Sequence, residues 1–261
     1  MHHLKTFYTI WLRDIIRFSR NRGRIIASMA TPLLFLFVFG AGLGPAMSPM
    51  AGGNLSFEQF MFPGIIAMTV LFTAVFAAVS IVWDREFGFL KEVMVAPVSR
   101  RAVALGKVAG GSTLAMLQGL LILILAPLLG ISVTLEQAVY LLLLMLLLAA
   151  VMSALGILVA ARQRSTEGFH VIMNFIMLPM LFLSGAFFPL TGVPVWMEAL
   201  ANVNPVSYGV DPMRQVALRG SVPEIFLDAM RLHPIAIDVA VMFAFGVAFL
   251  VPAIWLFSKQ D

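Results

Sequence analysis

WDREFGFLKEVMVAPVSRRAVALGK, residues 83–107, is the stretch that decides the fold of this 261-residue chain. It lies between two apolar segments that are each long enough to cross a membrane. Its charged residues are Asp84, Arg85, Glu86, Lys91, Glu92, Arg100, Arg101 and Lys107. The whole chain is 61% apolar and only 11% charged, whereas a soluble domain carries about 25% charged residues. The composition therefore predicts a polytopic membrane protein, in which this stretch connects two spans.

Six apolar segments of the length needed to cross about 30 Å of hydrocarbon follow one another along the chain. They cover residues 25–43, 61–83, 108–131, 138–161, 171–189 and 235–257. We therefore predict an all-α fold with six transmembrane helices. The membrane domain would cover residues 25–258, after an N-terminal segment of residues 1–24.

Residues 1–24 predict an amphipathic helix that lies in the membrane interface. Apolar side chains recur there at helical spacing, and the basic side chains fall largely on the opposite side. A basic helix with Trp and Phe on its apolar face is typical of an interfacial helix. Its candidate interfacial residues are Trp11, Arg13 and Arg17. The alternative is a surface helix of a soluble domain, but the chain offers no such domain for it to pack on.

The distribution of lysine and arginine predicts the orientation of the spans. Fourteen of the 17 basic residues lie in the N-terminal segment, the second-to-third loop, the fourth-to-fifth loop or the C-terminus. Since basic residues stay on the cytoplasmic side, both termini should be cytoplasmic. The other three basic residues lie in the interval 190–234, where residues 195–203 and 206–218 have amphipathic patterns. We expect these to form short helices at the outer surface; the alternative is a solvated external loop.

The chain shows no pattern of catalytic or metal-binding residues. His2 and His3 are adjacent at the terminus, and His170 and His233 are isolated, so we predict no metal site. The phosphate-binding motif G-x-x-x-x-G-K-[ST] is missing, because Gly106 and Lys107 are followed by Val108 and lack the first glycine. We therefore expect no cofactor bound by this chain. Ion-coupled carriers usually place carboxylates near the middle of the membrane, and these spans do not.

The loop itself predicts a short helix over residues 85–94. On a helix, Phe87, Leu90 and Met94 form one face, opposite Arg85, Lys91 and Glu92. Phe89 falls beside the charged residues, where an aromatic ring can anchor a protein partner. Pro97 would end this helix, and Ser99 would cap the next. From the residues alone, a solvated loop that only sets topology remains the alternative.

Several short motifs occur along the chain: Asp84–Glu92, Ala96–Arg100, Gly106–Lys107, Phe62–Gly64, Ser184–Gly185, Phe188–Pro189, Pro194, Trp196, Asn204–Pro205 and Arg214. With these motifs the chain resembles ABC transporter permeases of the type-2 exporter class, and in particular the daunorubicin-resistance and nodulation-factor branch. The similarity covers the chain in order, from the N-terminal helix to the sixth span.

The resemblance implies a half-transporter. Two six-span subunits would pair, as a homodimer in the simplest case, and a separate ABC ATPase subunit would bind ATP and Mg²⁺. The coupling residues facing the ATPase would be Asp84, Arg85, Glu86, Phe87, Gly88, Phe89, Leu90, Lys91 and Glu92. Membrane lipid is the other expected partner, and no nucleic acid is expected. The location implied is the bacterial cytoplasmic (inner) membrane.

The sequence thus favours a non-enzymatic permease subunit that exports an amphipathic or lipid-linked substrate with energy from a partner ATPase. An ATP-independent channel or lipid scramblase is the alternative. A membrane enzyme acting on lipids ranks last, because the cluster of Asp84, Arg85 and Glu86 contains no histidine.

Overall fold

The computed structural model describes residues 2–20, 22–47, 55–87 and 99–258, and the regular structure in these ranges is helical. Its α-helices are α1 (His2–Ser19), α2 (Arg22–Met47), α3 (Phe57–Ala77), α4 (Val79–Glu86), α5 (Arg100–Leu123), α6 (Leu135–Ala160), α7 (Thr166–Phe182), α8 (Val195–Asn202), α9 (Ser207–Ala217), α10 (Glu224–Met230) and α11 (Ile235–Ser258). A short 3-10 helix, Ala126–Leu129, follows α5. The all-α fold predicted from the sequence is confirmed.

Within the described ranges, five helical stretches are long and apolar enough to cross a membrane. They are Ile25–Gly44, Phe57–Glu86, Arg100–Leu123, Leu135–Ala160 and Ile235–Leu256. They correspond to five of the six predicted spans. The remaining predicted span corresponds to α7, which is apolar but has only 17 residues. The chain is therefore a multi-pass membrane protein.

The helix that overlaps the predicted fifth span, residues 171–189, begins and ends earlier in the chain. α7 begins at Thr166 and ends at Phe182. Two side chains donate hydrogen bonds to carbonyl groups at its end: Asn204 Nδ2 to Met180 O at 2.6 Å, and Ser207 Oγ to Leu183 O at 3.3 Å. Since helix ends leave carbonyl groups without a helical partner, these bonds allow the backbone to leave the helix inside the bundle.

The predicted third span, residues 108–131, is also shifted. α5 begins at Arg100, where Ser99 Oγ accepts a hydrogen bond from the Ala102 N–H at 3.5 Å, as the predicted cap requires. α5 ends at Leu123, before the 3-10 helix. The basic residues Arg100, Arg101 and Lys107 therefore lie on the first turns of a helix and not in a loop.

α3 lies at the centre of the bundle, between α5 and α6, with most of its residues buried. Two glycines allow the close approach of these helices. A Cβ atom at Gly111 would lie 2.7 Å from Ser153 Oγ, and one at Gly156 would lie 2.8 Å from Val75 O. Such distances are below any ordinary contact, so a side chain at either position would push the helices apart.

The two predicted short helices before the last span both exist, as α8 and α9. α8 has exposed apolar side chains, including Trp196, which is 62% exposed. α9 is not an exposed helix, because nearly all of its residues are buried against α3, α6 and α11. Two of its polar side chains bond to backbone groups elsewhere in the chain: Arg214 Nη2 donates to Gly185 O at 2.5 Å, and Asp211 accepts from the Leu232 N–H at 3.2 Å.

Candidate functional site: the junction at the end of α4

The predicted coupling residues lie at the end of the bundle where α4 ends and α5 begins, the α4–α5 end. Asp84, Arg85 and Glu86 form the last turn of α4. Phe87 follows and is 79% exposed. The other predicted coupling residues, Gly88, Phe89, Leu90, Lys91 and Glu92, lie outside the described residues.

Asp84 connects α4 to α1. Its Oδ2 lies 3.6 Å from Arg13 Nη2. The Asp84 side chain is only 18% exposed, so less water screens this ion pair than would screen one on the open surface. Arg13, predicted as an interfacial residue, thus contacts the start of the charged stretch.

Arg85 connects α4 to the end of α6. Its Nη1 donates hydrogen bonds to the carbonyl oxygens of Ala160, at 3.1 Å, and Gln163. Both carbonyls belong to the turn where α6 stops, and helix C-termini carry a partial negative charge. The guanidinium group therefore adds to the bonding of this turn, in which Ala160 O also accepts from the Gln163 N–H at 3.2 Å.

Glu86 connects α4 to the start of α7. Its Oε2 accepts hydrogen bonds from the backbone N–H of Thr166 at 3.0 Å and from Thr166 Oγ1 at 2.5 Å. Thr166 is the first residue of α7, and a carboxylate is favourable at a helix N-terminus. Ser165 caps the same helix by accepting from the Gly168 N–H at 3.2 Å.

Three consecutive residues thus attach the end of α4 to three other helices. We call Asp84, Arg85 and Glu86 with these contacts the Asp84–Glu86 junction. A displacement of the chain at Phe87 would act on α1, α6 and α7 together through the junction. The sequence identified these three residues as candidates. It did not indicate their partners within the chain, which lie 71–80 positions away.

α1 packs closely on α5 at the same end of the bundle. Trp11 Nε1 donates a hydrogen bond to Thr113 Oγ1 at 3.1 Å, and a Cβ atom at Gly106 would lie 3.0 Å from Phe7 O. The third predicted interfacial residue, Arg17, places its guanidinium carbon 5.6 Å from the centre of the Trp83 ring. All three predicted residues of α1 therefore contact neighbouring helices.

Lys107 was not singled out as a site residue by the sequence, yet it joins α1 to the bundle. Its side chain is 4% exposed, and its Nζ lies 3.2 Å from Asp14 Oδ1 and 2.8 Å from Ser80 Oγ. The available signal was a single lysine seven residues into a helix between small residues. The sequence could not name its partner, because Asp14 is 93 positions away.

An open cavity of about 760 Å³ lies beside the junction, lined by residues of α1, α2, α3, α4, α5 and α7. Arg17 and Trp83 lie at its α4–α5 end, and the rings of Phe72 and Phe76 form part of its apolar wall. This size falls within the range of small-molecule sites in proteins.

A second polar cluster, which the sequence also missed, lies around α9 at the opposite end of the bundle. Asp211 accepts from Gln215 Nε2 at 2.9 Å and from the His233 N–H at 3.2 Å. His233 Nδ1 lies 3.5 Å from the fully buried Asp238. Burial lowers the pKa of the Arg214 guanidinium to about 10, so this group keeps its charge at neutral pH.

Known proteins resemble the chain over most of its length. Residues 5–218 match the family model described as ABC-2 type transporter. The inner membrane transport permease YadH of Escherichia coli K12 is 27% identical, over 79% of this chain and 80% of its own length. Nodulation protein J of Rhizobium leguminosarum bv. trifolii is 27% identical, over 83% and 82%. The ycf38 protein of Pyropia yezoensis is 30% identical, over 77% and 70%.

These matches confirm the resemblance seen in the loop and late in the sequence. The family match runs from within α1 to just after the end of α9 and includes every residue of the Asp84–Glu86 junction. The chain therefore belongs to the ABC-2 type transporter family and is a transport permease.

Proposed function

We propose that two copies of this chain form the membrane part of an ATP-driven exporter of an amphipathic or lipid-linked substrate. A separate ATPase subunit binds ATP and Mg²⁺, and this chain transmits the movement. The observation that carries the proposal is the Asp84–Glu86 junction, which attaches the base of the charged loop to α1, α6 and α7. ABC-2 permeases normally pair with such an ATPase subunit, which supports this partner.

The proposed orientation places the α4–α5 end in the cytoplasm of a bacterium. Most basic residues lie in the segments at this end, as expected for cytoplasmic loops. YadH is by name an inner membrane transport permease, which supports the cytoplasmic membrane as the location.

The proposed mechanism begins when ATP closes the ATPase dimer and moves the loop that follows α4. Because α3 and α4 are nearly continuous, the movement travels along the second span. The Asp84–Glu86 junction passes it to α1 and α7 at the same time. α2, α3 and α7 then tilt and open the opposite end of the dimer interface, where the substrate leaves.

The first experiment is affinity purification of the chain from its native membrane, with identification of co-eluting proteins. A stoichiometric protein with the G-x-x-x-x-G-K-[ST] motif supports the exporter. If the chain elutes alone and transports substrate in liposomes without nucleotide, the exporter is excluded and an ATP-independent channel or scramblase is supported.

A second experiment tests the loop as the contact with the ATPase. Phe89→Asp should leave membrane insertion intact and weaken ATPase binding by about 2 kcal/mol, or roughly 30-fold, the cost of losing an aromatic anchor at an interface. Leu128→Asp is the matched control, because Leu128 is 81% exposed at the opposite end of the bundle. Equal ATPase binding by wild type and Phe89→Asp contradicts the role of Phe89.

A further inference from the structure

The cavity beside the Asp84–Glu86 junction has a charged end and an apolar interior. Its charged end carries Arg17, whose guanidinium stacks on Trp83. Deeper in the cavity the walls are formed by Met68, Phe72 and Phe76. The rings of Phe72 and Phe76 stack with their centres 6.2 Å apart. This division matches a molecule with one polar end and one apolar end.

The charged end carries an excess of positive charge. Asp14 also lines it, but its carboxylate is paired with Lys107 at 3.2 Å and lies 3.7 Å from Arg13. Asp84 is paired with Arg13. Among the described residues, no carboxylate lies within 4 Å of the Arg17 guanidinium, whose charge is therefore available to a ligand. An anionic group is the complement of this end.

Three side chains that line the cavity are connected by hydrogen bonds. Thr73 Oγ1 donates to Gln118 Oε1, and Gln118 Nε2 donates to Ser28 Oγ. All three residues line the cavity. They place polar atoms beside the aromatic wall, because Thr73 lies between Phe72 and Phe76 on α3. The linkage between a head group and an acyl chain could accept hydrogen bonds there.

We propose that this cavity binds an acylated amphiphile with an anionic, phosphate-type head group. The head group lies against Arg17, and the acyl part lies against Phe72 and Phe76. The role of the cavity as the place where cargo enters from the inner leaflet rests on the proposed function. The binding itself does not, since it is measured on the chain without an ATPase.

The test uses the full chain purified in detergent and two fluorescent lipids with the same short acyl chains, a phosphatidic acid and a phosphatidylcholine. We expect the phosphatidic acid to bind about tenfold more tightly, as one charge-assisted contact to phosphate allows. Arg17→Gln should abolish this preference. Arg20→Gln removes the same charge from the residue directly after α1, outside the cavity, and should change the affinity less than about twofold, the scale of exposed charges.

A second pair of variants tests the acyl part. Thr31→Trp adds a ring to the cavity wall and should weaken both lipids, whereas Leu34→Trp, at a 61% exposed position on the same helix, should weaken neither. Inorganic phosphate at millimolar concentration serves as the competitor. If it displaces the lipid fully and Thr31→Trp has no effect, the site takes a free anion and the proposal is overturned.

Two other results overturn the proposal: equal affinity for the two lipids, or equal effects of Arg17→Gln and Arg20→Gln. ATP-driven transport is assayed separately, with the ATPase present. A chain that binds phosphatidic acid as expected but shows no ATP-driven export supports the cavity and refutes the exporter, so the two failures can be told apart.

Discussion

Lys107→Met should release α1 from the rest of the bundle while leaving the spans folded. The ammonium group that this change removes is 4% exposed, and it joins Asp14 of α1 to Ser80 of α4. Asp14 is only 13% exposed, so its carboxylate would lose its nearest compensating charge in a partly dry site.

The size of the effect follows from the cost of leaving a buried charge alone. Removing one partner of a buried ion pair costs about 3–5 kcal/mol. Arg13, 3.7 Å from Asp14, supplies part of the missing charge, which points to the lower end of that range. We therefore expect the docking of α1 to weaken by about 3 kcal/mol, or roughly 150-fold.

Hydrogen–deuterium exchange measures this loss directly. Most of the stability of a helix in a protein comes from the packing of its amphipathic face, so undocking should accelerate amide exchange in α1, by up to about the same 150-fold. Exchange in α6 should stay unchanged. Lys5→Met, which removes an exposed lysine from α1 itself, is the control.

A double-mutant cycle separates the ion pair from simple packing. Asp14→Leu with Lys107→Met replaces both charges by apolar groups and should exchange more slowly than Lys107→Met alone, because no unpaired charge remains. If the double variant exchanges as fast as the product of the single effects, or Lys107→Met stays within threefold of wild type, the pair does not hold α1.

Two further predictions concern the other contacts. Glu86→Lys should reduce ATP-driven transport and ATPase co-purification, because it replaces the acceptor of the Thr166 N–H by a positive charge at a helix N-terminus; Glu167→Lys, on the exposed first turn of α7, should not. Equal losses in both would show that only the charge of this region matters. Arg214→Leu should lower the thermal unfolding temperature in detergent, because it removes the bond to Gly185 O and the contact with the Phe60 ring at 4.1 Å. The free energy of unfolding should fall by about 2 kcal/mol. The more exposed Arg219→Leu is the control, and an unfolding midpoint of Arg214→Leu that is unchanged and equal to that of the control would refute the prediction.

The helices and their order followed from the sequence because hydropathy and capping are local signals. Ser99 could be identified as a cap since its partner, the Ala102 N–H, is three residues away. The burial of α9 could not be predicted. An amphipathic pattern looks the same whether its polar face meets water or the buried backbone, and the partner carbonyl of Arg214 belongs to Gly185, 29 positions earlier.

The difference between local signals and distant partners also explains what the sequence could not predict at the candidate site. Asp84, Arg85 and Glu86 were recognisable as a charged group at the end of a span. The partners of Arg85 and Glu86 lie at the end of α6 and the start of α7, and the partner of Asp84 lies on α1. No local sequence pattern specifies these neighbours. The same charged residues are therefore predicted whether they bind a partner protein or other helices of the same chain.

Helix geometry explains why three consecutive residues serve as one junction. Successive residues of an α-helix point about 100° apart, so Asp84, Arg85 and Glu86 together face most of the circle around α4. Each of the surrounding elements, α1, the end of α6 and the start of α7, can then be reached by one side chain without bending the helix. The end of α4 cannot shift sideways or rotate without stretching at least one of these contacts. A force applied at Phe87 must therefore either break a contact or move the neighbours as well, and the second outcome is what the proposed transmission of ATPase movement requires.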